Sequence, residues 1–287
     1  MKVKIATAQY DISFLENWRN YQAKIERWVA EAAGQGAKIL LFPEYGSMEL
    51  ASLFSKEIYS SLNKQLASMQ SLLDDYIGLF RTLAQKHGCY IQSGTFPVRI
   101  ESGAYRNRAY LFMPDGRFDY QDKLMMTRFE NEQWLINSGE ELKCFDTEYG
   151  KIAINVCYDS EFPMLARKQV EAGANLILVP SCTDTLAGYH RVKIGCQARA
   201  LENQCYVVQS PTVGEAPWSE AVDVNIGAAA VYTPVDRGFP DNGILAIGEL
   251  NKPQWVMADI SLNACETVRQ QGQVFNYRDW PSQKAFS

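Results

Sequence analysis

Histidine is almost missing from this sequence. Only two of its 287 residues are histidines, and its seven cysteines include no CxxC pair. Zinc sites in proteins are built from such pairs and from histidines, and a disulfide framework needs paired cysteines. We therefore expect no metal ion, no cofactor and no disulfide framework, and we expect most of the cysteines to fill the core.

The sequence also lacks long apolar runs and an excess of positive charge. No run approaches the 18 residues that a membrane helix needs, and the chain reaches Asp11 too soon for the apolar region of a signal peptide. The formal net charge of -5 argues against a nucleic acid or an anionic membrane surface as the main partner. These features predict a cytoplasmic protein whose partner is a small molecule.

What the sequence does contain is a repeated α/β pattern in a chain with 47% hydrophobic residues. In the first half, KVKIATAQY is followed by a helical segment and GAKILLFPE; in the second, KIAINVCYD is followed by a helical segment and GANLILVPS. We interpret both as β-α-β units with right-handed crossovers. No low-complexity linker interrupts the chain, so we expect a single domain, residues 1–287.

Three other segments carry specific structural predictions. The composition of residues 55–87 predicts a long helical stretch with Gly88 as its C-cap. Residues 122–139 have no clean period and are expected to form a loop with at most a short helix. The apolar run at 151–157 predicts a strand that ends at Cys157.

Cys157 is the candidate nucleophile. Glu44 and Cys157 both follow predicted strands of the two units, and ligands bind at the C-terminal ends of strands in α/β sheets. A free thiol is mostly protonated at neutral pH, so a nucleophilic cysteine needs a base or a cation nearby. His87 is expected to lie at a helix end, whereas His190 begins a helix beside the predicted pocket. Glu44 is the other candidate base, and Lys123 is a cation suited to stabilising an oxyanion.

The motifs FPEYG, DK and NVCYDSEFP contain Glu44, Lys123 and Cys157 in an order that resembles the nitrilase superfamily of carbon-nitrogen hydrolases, whose catalytic triad is Glu-Lys-Cys. The resemblance includes the AQY opening and the ARALENQCYVV stretch at 198–208, and it runs from Met1 to about Asp259. It implies an α/β fold in the form of a four-layer α-β-β-α sandwich, with protomers that pair into a homodimer or a higher homo-oligomer. The tail at about 261–287 is expected to pack on another subunit.

The resemblance also implies roles for these residues. Glu44 would take the thiol proton as Cys157 attacks an amide-type carbonyl, and it would then protonate the leaving amine and activate water. Lys123 and the backbone N–H of Tyr158 would hold the oxyanion.

Further residues are assigned to the pocket. The superfamily has a second glutamate after the lysine, and EQWLINSG places Glu132 at that position, where it would orient the lysine and the substrate amine; Glu130 is the alternative. The residues SCTD, which begin at Ser181 and end at Asp184, are expected to line the pocket together with His190. Asp184 has two open interpretations, as a ligand of a substrate amine and as a helix N-cap.

The motif CYD followed by FP resembles the amidase and carbamoylase branches, whereas true nitrilases usually carry CWE. The expected function is therefore an amidase that releases ammonia from a small amide through a cysteine thioester. Alternatives are an N-carbamoyl-compound amidohydrolase, a nitrilase, an acyltransferase, and a papain-like enzyme that uses His190. A catalytically silent binding protein of the same fold is disfavoured because all three triad residues are present. The stretch that begins at PSCTD also resembles a subgroup of bacterial carbon-nitrogen hydrolases, some of them fused to acetyltransferase-like domains.

Overall fold

The computed structural model describes residues 2–134 and 136–286, which form thirteen strands and eight α-helices. The strands are β1 (Val3–Asp11), β2 (Ile39–Phe42), β3 (Tyr90–Arg99), β4 (Tyr105–Phe112), β5 (Phe118–Asp122), β6 (Cys144–Thr147), β7 (Gly150–Ile154), β8 (Ala174–Ser181), β9 (Tyr206–Glu215), β10 (Val224–Asn225), β11 (Ala230–Tyr232), β12 (Ile244–Ile247) and β13 (Gln254–Ile260). The helices are α1 (Trp18–Gly34), α2 (Lys56–Tyr59), α3 (Leu62–Met69), α4 (Leu73–His87), α5 (Pro163–Glu171), α6 (Leu186–Asn203), α7 (Leu262–Gln271) and α8 (Asn276–Asp279).

The strands form one curled sheet in the order β5-β4-β3-β2-β1-β9-β8-β7-β6. Its two halves join where Tyr10 pairs with Thr212 in the parallel β1/β9 ladder. Strands β1 and β2 are parallel neighbours connected through α1, and β7 and β8 are parallel neighbours connected through α5. The two β-α-β units predicted from the repeated pattern are therefore confirmed, and their strands end at the same edge of the structure.

The two halves of the sheet face each other across an apolar core. Alternate residues of β1 and β2 point in opposite directions, as strand geometry requires. Ile5 and Leu41 belong to the core that they share with β7 and β8, whereas Leu40 and Phe42 face α1 and α4. Helices α5 and α6 cover the other half. The layers are thus α-β-β-α, and the predicted sandwich is confirmed.

The helical stretch predicted over 55–87 is confirmed over most of its length, but it is not one continuous helix. The segment is divided into α2, α3 and α4, with 3₁₀ geometry at Gln70–Leu72. Side chains explain the divisions, because Gln65 donates to the carbonyl of Tyr59 and Gln70 donates at 2.8 Å to the carbonyl of Pro97 on β3. The final turn follows the prediction, and Gly88 adopts the left-handed conformation with φ 56° that ends α4.

The strand predicted to end at Cys157 stops three residues earlier, at Ile154. Cys157 instead has φ 48° and begins a 3₁₀ turn, Cys157–Glu161. A positive φ is uncommon for a residue with a side chain and is found where surrounding structure enforces it. The nucleophile candidate therefore lies on a sharp turn at the strand end.

The carboxy-terminal segment packs on its own chain. The Arg167 guanidinium of α5 lies 4.5 Å from the Tyr277 ring centroid and 5.0 Å from that of Trp280, and it donates to the carbonyl of Tyr277. The part of the chain that the structure describes contains no helix long and apolar enough to cross a membrane.

Candidate active site

A cavity of about 250 Å³ opens at the C-terminal ends of β2 and β7. Glu44, Lys123 and Cys157, which lie far apart in the sequence, all line it. The structure therefore brings together the three residues that the ordered motifs indicated.

Threonine side chains of β9 and β3 hold the backbone at Glu44 and at the next residue. Thr212 on β9 donates from its hydroxyl to the Glu44 carbonyl at 2.7 Å, and the next residue, Tyr45, donates its N–H to the Thr95 hydroxyl at 2.9 Å. Gly94 on β3 passes so close that an added Cβ would lie 2.2 Å from the carbonyl oxygen of Pro43. Glycine at this position lets the chain of β3 pack directly against the residue before Glu44.

Lys123 is the centre of a buried charge network. It is 1% exposed, and its Nζ donates to Glu44 Oε1 at 2.8 Å and to Glu130 Oε2 at 2.7 Å. Burial alone would lower the pKa of Lys123, but the adjacent carboxylates of Glu130 and Glu44 outweigh it and raise this pKa well above its ordinary value. The lysine is therefore a fixed cation.

The structure corrects the prediction that Glu132 orients this lysine. The Glu132 carboxylate is 55% exposed and pairs with Arg128 at 2.8 Å. Glu130, the alternative, is buried and also accepts from the Tyr45 hydroxyl at 2.7 Å and from the N–H and hydroxyl of Thr127, both at 2.9 Å. The reason is local: the Glu130–Trp134 segment forms a π-helical turn, so residues two apart point to different sides.

The two carboxylates of the network have opposite pKa shifts. Burial raises the pKa of Glu44, with the Glu130 charge adding to the rise and Lys123 opposing it. Burial also acts to raise the pKa of Glu130, but Lys123 and the hydrogen bonds from Thr127 and Tyr45 hold it below its ordinary value. These opposite directions suit Glu130 to a fixed negative charge and Glu44 to exchanging a proton.

The Cys157 thiol lines the same cavity as Glu44, and its Sγ is 3.7 Å from the Cys182 carbonyl oxygen. Burial and the Glu44 charge raise the pKa of Cys157 well above its ordinary value, although Lys123 opposes this. The resting group is therefore a protonated thiol next to a base.

Asp159 is a residue that the sequence reasoning did not assign. Its buried carboxylate accepts the backbone N–H of Val156 at 3.1 Å, of Leu124 at 3.1 Å and of Met125 at 2.7 Å. Burial raises the pKa of Asp159 to about 7 despite these bonds. The side chain joins the Cys157 turn to the loop that carries Lys123. The sequence shows that Asp159 follows Cys157 by two residues, but it does not show which backbone groups the carboxylate accepts from.

The remaining predicted residues divide into two groups. Tyr158 and Asp184 line the cavity, whereas Ser181 is buried with its hydroxyl 3.3 Å from the Ser210 carbonyl, and His190 lies on the exposed side of α6 against Tyr189. Neither Ser181 nor His190 lines the cavity, so their predicted place in the pocket is wrong, and a base role for His190 has no geometric support.

An aromatic wall, not predicted from the sequence, bounds one side of the cavity. Tyr45, Phe129 and Trp134 line it, with ring centroids 4.4 Å apart for Tyr45 and Trp134 and 5.6 Å apart for Phe129 and Trp134.

Among the described residues, no group of three His, Cys, Asp or Glu side chains is arranged to hold a metal ion. A buried base, a fixed cation and a thiol on one cavity are the elements of acyl transfer to cysteine.

Comparisons with known proteins give a consistent picture. A family model described as carbon-nitrogen hydrolase matches residues 4–270. The chain is 37% identical over 277 residues to the "Probable hydrolase YhcX" of Bacillus subtilis. This match covers 96% of the present chain but only 53% of YhcX. It therefore spans about half the length of that relative.

A second relative from Bacillus subtilis, named "2-oxoglutaramate amidase", is 28% identical over 280 residues and is matched over 97% of its length and 96% of this chain. Among solved structures, Saccharomyces cerevisiae Nit3, a member of branch 10 of the nitrilase superfamily, aligns with a TM-score of 0.74 at 23% identity, covering 94% of this chain and 93% of Nit3. At that identity the likeness concerns the fold alone.

Proposed function

Because the chain belongs to the carbon-nitrogen hydrolase family, we propose that it is a cysteine amidase that hydrolyses a small amide through a thioester of Cys157. The observation that carries the proposal is the placement of Lys123 between Glu44 and Glu130, on the same cavity as the thiol. The name of the relative 2-oxoglutaramate amidase supports an amide as substrate.

In the first half of the proposed reaction, Glu44 takes the Cys157 proton as Sγ forms a bond to the amide carbon. The Lys123 ammonium and the Tyr158 N–H stabilise the negative charge that develops on the carbonyl oxygen. Glu44 then gives the proton to the leaving nitrogen as the carbon–nitrogen bond breaks, which leaves a thioester and free ammonia or amine.

In the second half, Glu44 removes a proton from water, the water oxygen attacks the thioester carbon, and the thiolate leaves and regains the proton. Glu130 does not exchange protons in this scheme. Its charge holds Lys123 in place, and its hydrogen bond to Tyr45 fixes its own position. The raised pKa of Glu44 suits a group that serves as base and then as acid.

The test is a screen for ammonia release over small amides, ω-amides including 2-oxoglutaramate, N-carbamoyl compounds and nitriles. Wild type should hydrolyse at least one amide, and Cys157→Ala should abolish that activity. Cys144→Ala, which removes a half-buried thiol outside the cavity, is the matched control and should retain it. Hydrolysis by Cys157→Ala at near the wild-type rate would exclude the thioester mechanism.

The proposal includes a homodimer of one-domain subunits, with residues 1–287 as the domain. An exposed apolar stripe supports the dimer: Leu186, Ile194 and Leu201 lie on one side of α6, and Ile194 is 64% exposed. Met164 at the start of α5 is exposed as well. Sedimentation of wild type and Ile194→Glu should show a dimer that the charge weakens; a wild-type monomer at all concentrations would contradict it.

A further inference from the structure

The entrance of the cavity carries more negative charge than the proposed mechanism uses. Six acidic and two basic side chains line the cavity. Lys123, Glu44 and Glu130 form the buried network, and Arg191 is paired with Glu161 at 3.4 Å. Asp184, Glu220 and Asp223 are the three that remain.

These three carboxylates come from two separate loops and are exposed at the cavity. Asp184 precedes α6, while Glu220 and Asp223 lie between β9 and β10. Among the side chains that the structure describes, none of the three has a Lys, Arg or His nitrogen within 4.0 Å. Their charge is therefore not neutralised by a neighbouring protein cation, and it faces whatever enters.

Two further features belong to residues that line the same cavity. The rings of Tyr45, Phe129 and Trp134 form an apolar wall against which the alkyl chain of a substrate can pack. The indole N–H of Trp134 is buried without an acceptor among the described residues, although unpaired buried donors are rare.

We propose that the substrate is a cationic amide, in which an ammonium or guanidinium group at the end away from the scissile bond lies among Asp184, Glu220 and Asp223. The inference rests on the proposed amidase function and specifies its substrate class. An anionic amide would meet three uncompensated carboxylates before it reached Cys157, and like charges at a cavity mouth disfavour entry.

Charged thiol reagents measure this preference without turnover. Trimethylammonium-ethyl and sulfonatoethyl methanethiosulfonate both form a mixed disulfide with a thiol and release methanesulfinate, and they differ in charge. Digestion with trypsin should separate the three cysteines into different peptides: Cys157 in 152–167, Cys182 in 169–191 and Cys144 in 144–151. Mass spectrometry then reads each site separately, and Cys144, outside the cavity, is the internal reference.

At low salt the cationic reagent should label Cys157 at least about tenfold faster than the anionic one, after normalisation to Cys144. The triple variant Asp184→Asn, Glu220→Gln, Asp223→Asn should abolish that ratio. Asp241→Asn, an exposed acid outside the cavity, should leave it unchanged. Equal or faster labelling by the anionic reagent would overturn the inference.

Three amides of similar length extend the test to catalysis: 5-aminopentanamide, pentanamide and glutaramate. The expected order of kcat/KM is cationic, neutral, anionic, with about tenfold between the extremes that shrinks in the triple variant. Hydrolysis of glutaramate in preference to the cationic amide would overturn the inference while leaving the amidase function intact. Charge-selective labelling with no hydrolysis of any amide would instead overturn the amidase function and leave the preference for cations standing.

Discussion

The Nζ of Lys123 lies 2.7 Å from Oε2 of Glu130, and both side chains are buried. A buried ion pair is costly to break, because removing one partner leaves the other charge without compensation. Here the pair also fixes the position of the cation relative to Glu44 and to the thiol. The relationship makes Glu130 as necessary to the proposed site as the triad residues themselves.

Glu130→Gln should lower kcat/KM by about 100-fold or more, since residues that act as a unit lose most of their effect when one is removed. Glu132→Gln is the matched control and should stay within about twofold, because its carboxylate contacts Arg128 at the surface. Steady-state kinetics on the amide found by the screen measures both. A larger loss in the Glu132 variant than in the Glu130 variant would contradict the assignment.

The pH dependence of activity tests the role of Glu44. A general base acts in its deprotonated form, so kcat/KM should be lost as the pH falls through the pKa of Glu44, which burial raises above 4.5. The Glu130 charge contributes to that rise. Residual activity of Glu130→Gln should therefore show its acid limb at lower pH than wild type, whereas Glu132→Gln should not shift it. An acid limb that moves to higher pH in Glu130→Gln would be incompatible with this network.

Asp159 should act as a positioning residue. Asp159→Asn replaces one acceptor oxygen by an N–H₂ group that faces backbone donors, so the Cys157 turn and the Lys123 loop should separate. We expect kcat/KM to fall by about 10- to 100-fold, and alkylation of Cys157 by iodoacetamide to slow in parallel while the circular dichroism spectrum stays unchanged. Asp241→Asn is the surface control. Wild-type alkylation and kinetics in Asp159→Asn would show that the three bonds are dispensable.

The sequence could predict those parts of the site that depend on residues close together along the chain, and not those that depend on distant ones. Glu44 and Cys157 follow strands with strong apolar patterns, and strand ends can be read from local sequence. The choice between Glu130 and Glu132 depended on a π-helical turn, which has no dependable sequence signal. Asp159 could not be assigned, because its partners Leu124 and Met125 lie on a loop 35 and 34 residues away.

The same distinction applies to the fold. The two β-α-β units and Gly88 at the end of α4 were predictable from periodicity and from glycine chemistry. The division of 55–87 into three helices was not predictable in this way. At one of the two breaks, Gln70 donates to the carbonyl of Pro97 on β3, a strand that is distant in the sequence. Local propensity in such a segment is overridden by tertiary contacts.

Gly94 offers a test that joins the fold to the site. It has φ 81°, and an added Cβ would lie 2.2 Å from the carbonyl oxygen of Pro43, a backbone atom that cannot rotate away. Gly94→Ala should therefore lower the free energy of unfolding by roughly 2–4 kcal/mol and displace the residue before Glu44, so activity should fall as well. Gly78→Ala is the matched control: this exposed glycine of α4 has open space at its Cβ position, and alanine there should stabilise by about 0.5–1 kcal/mol. Urea denaturation of both variants measures the difference, and equal stabilities would mean that β3 can move away from Pro43 at little cost.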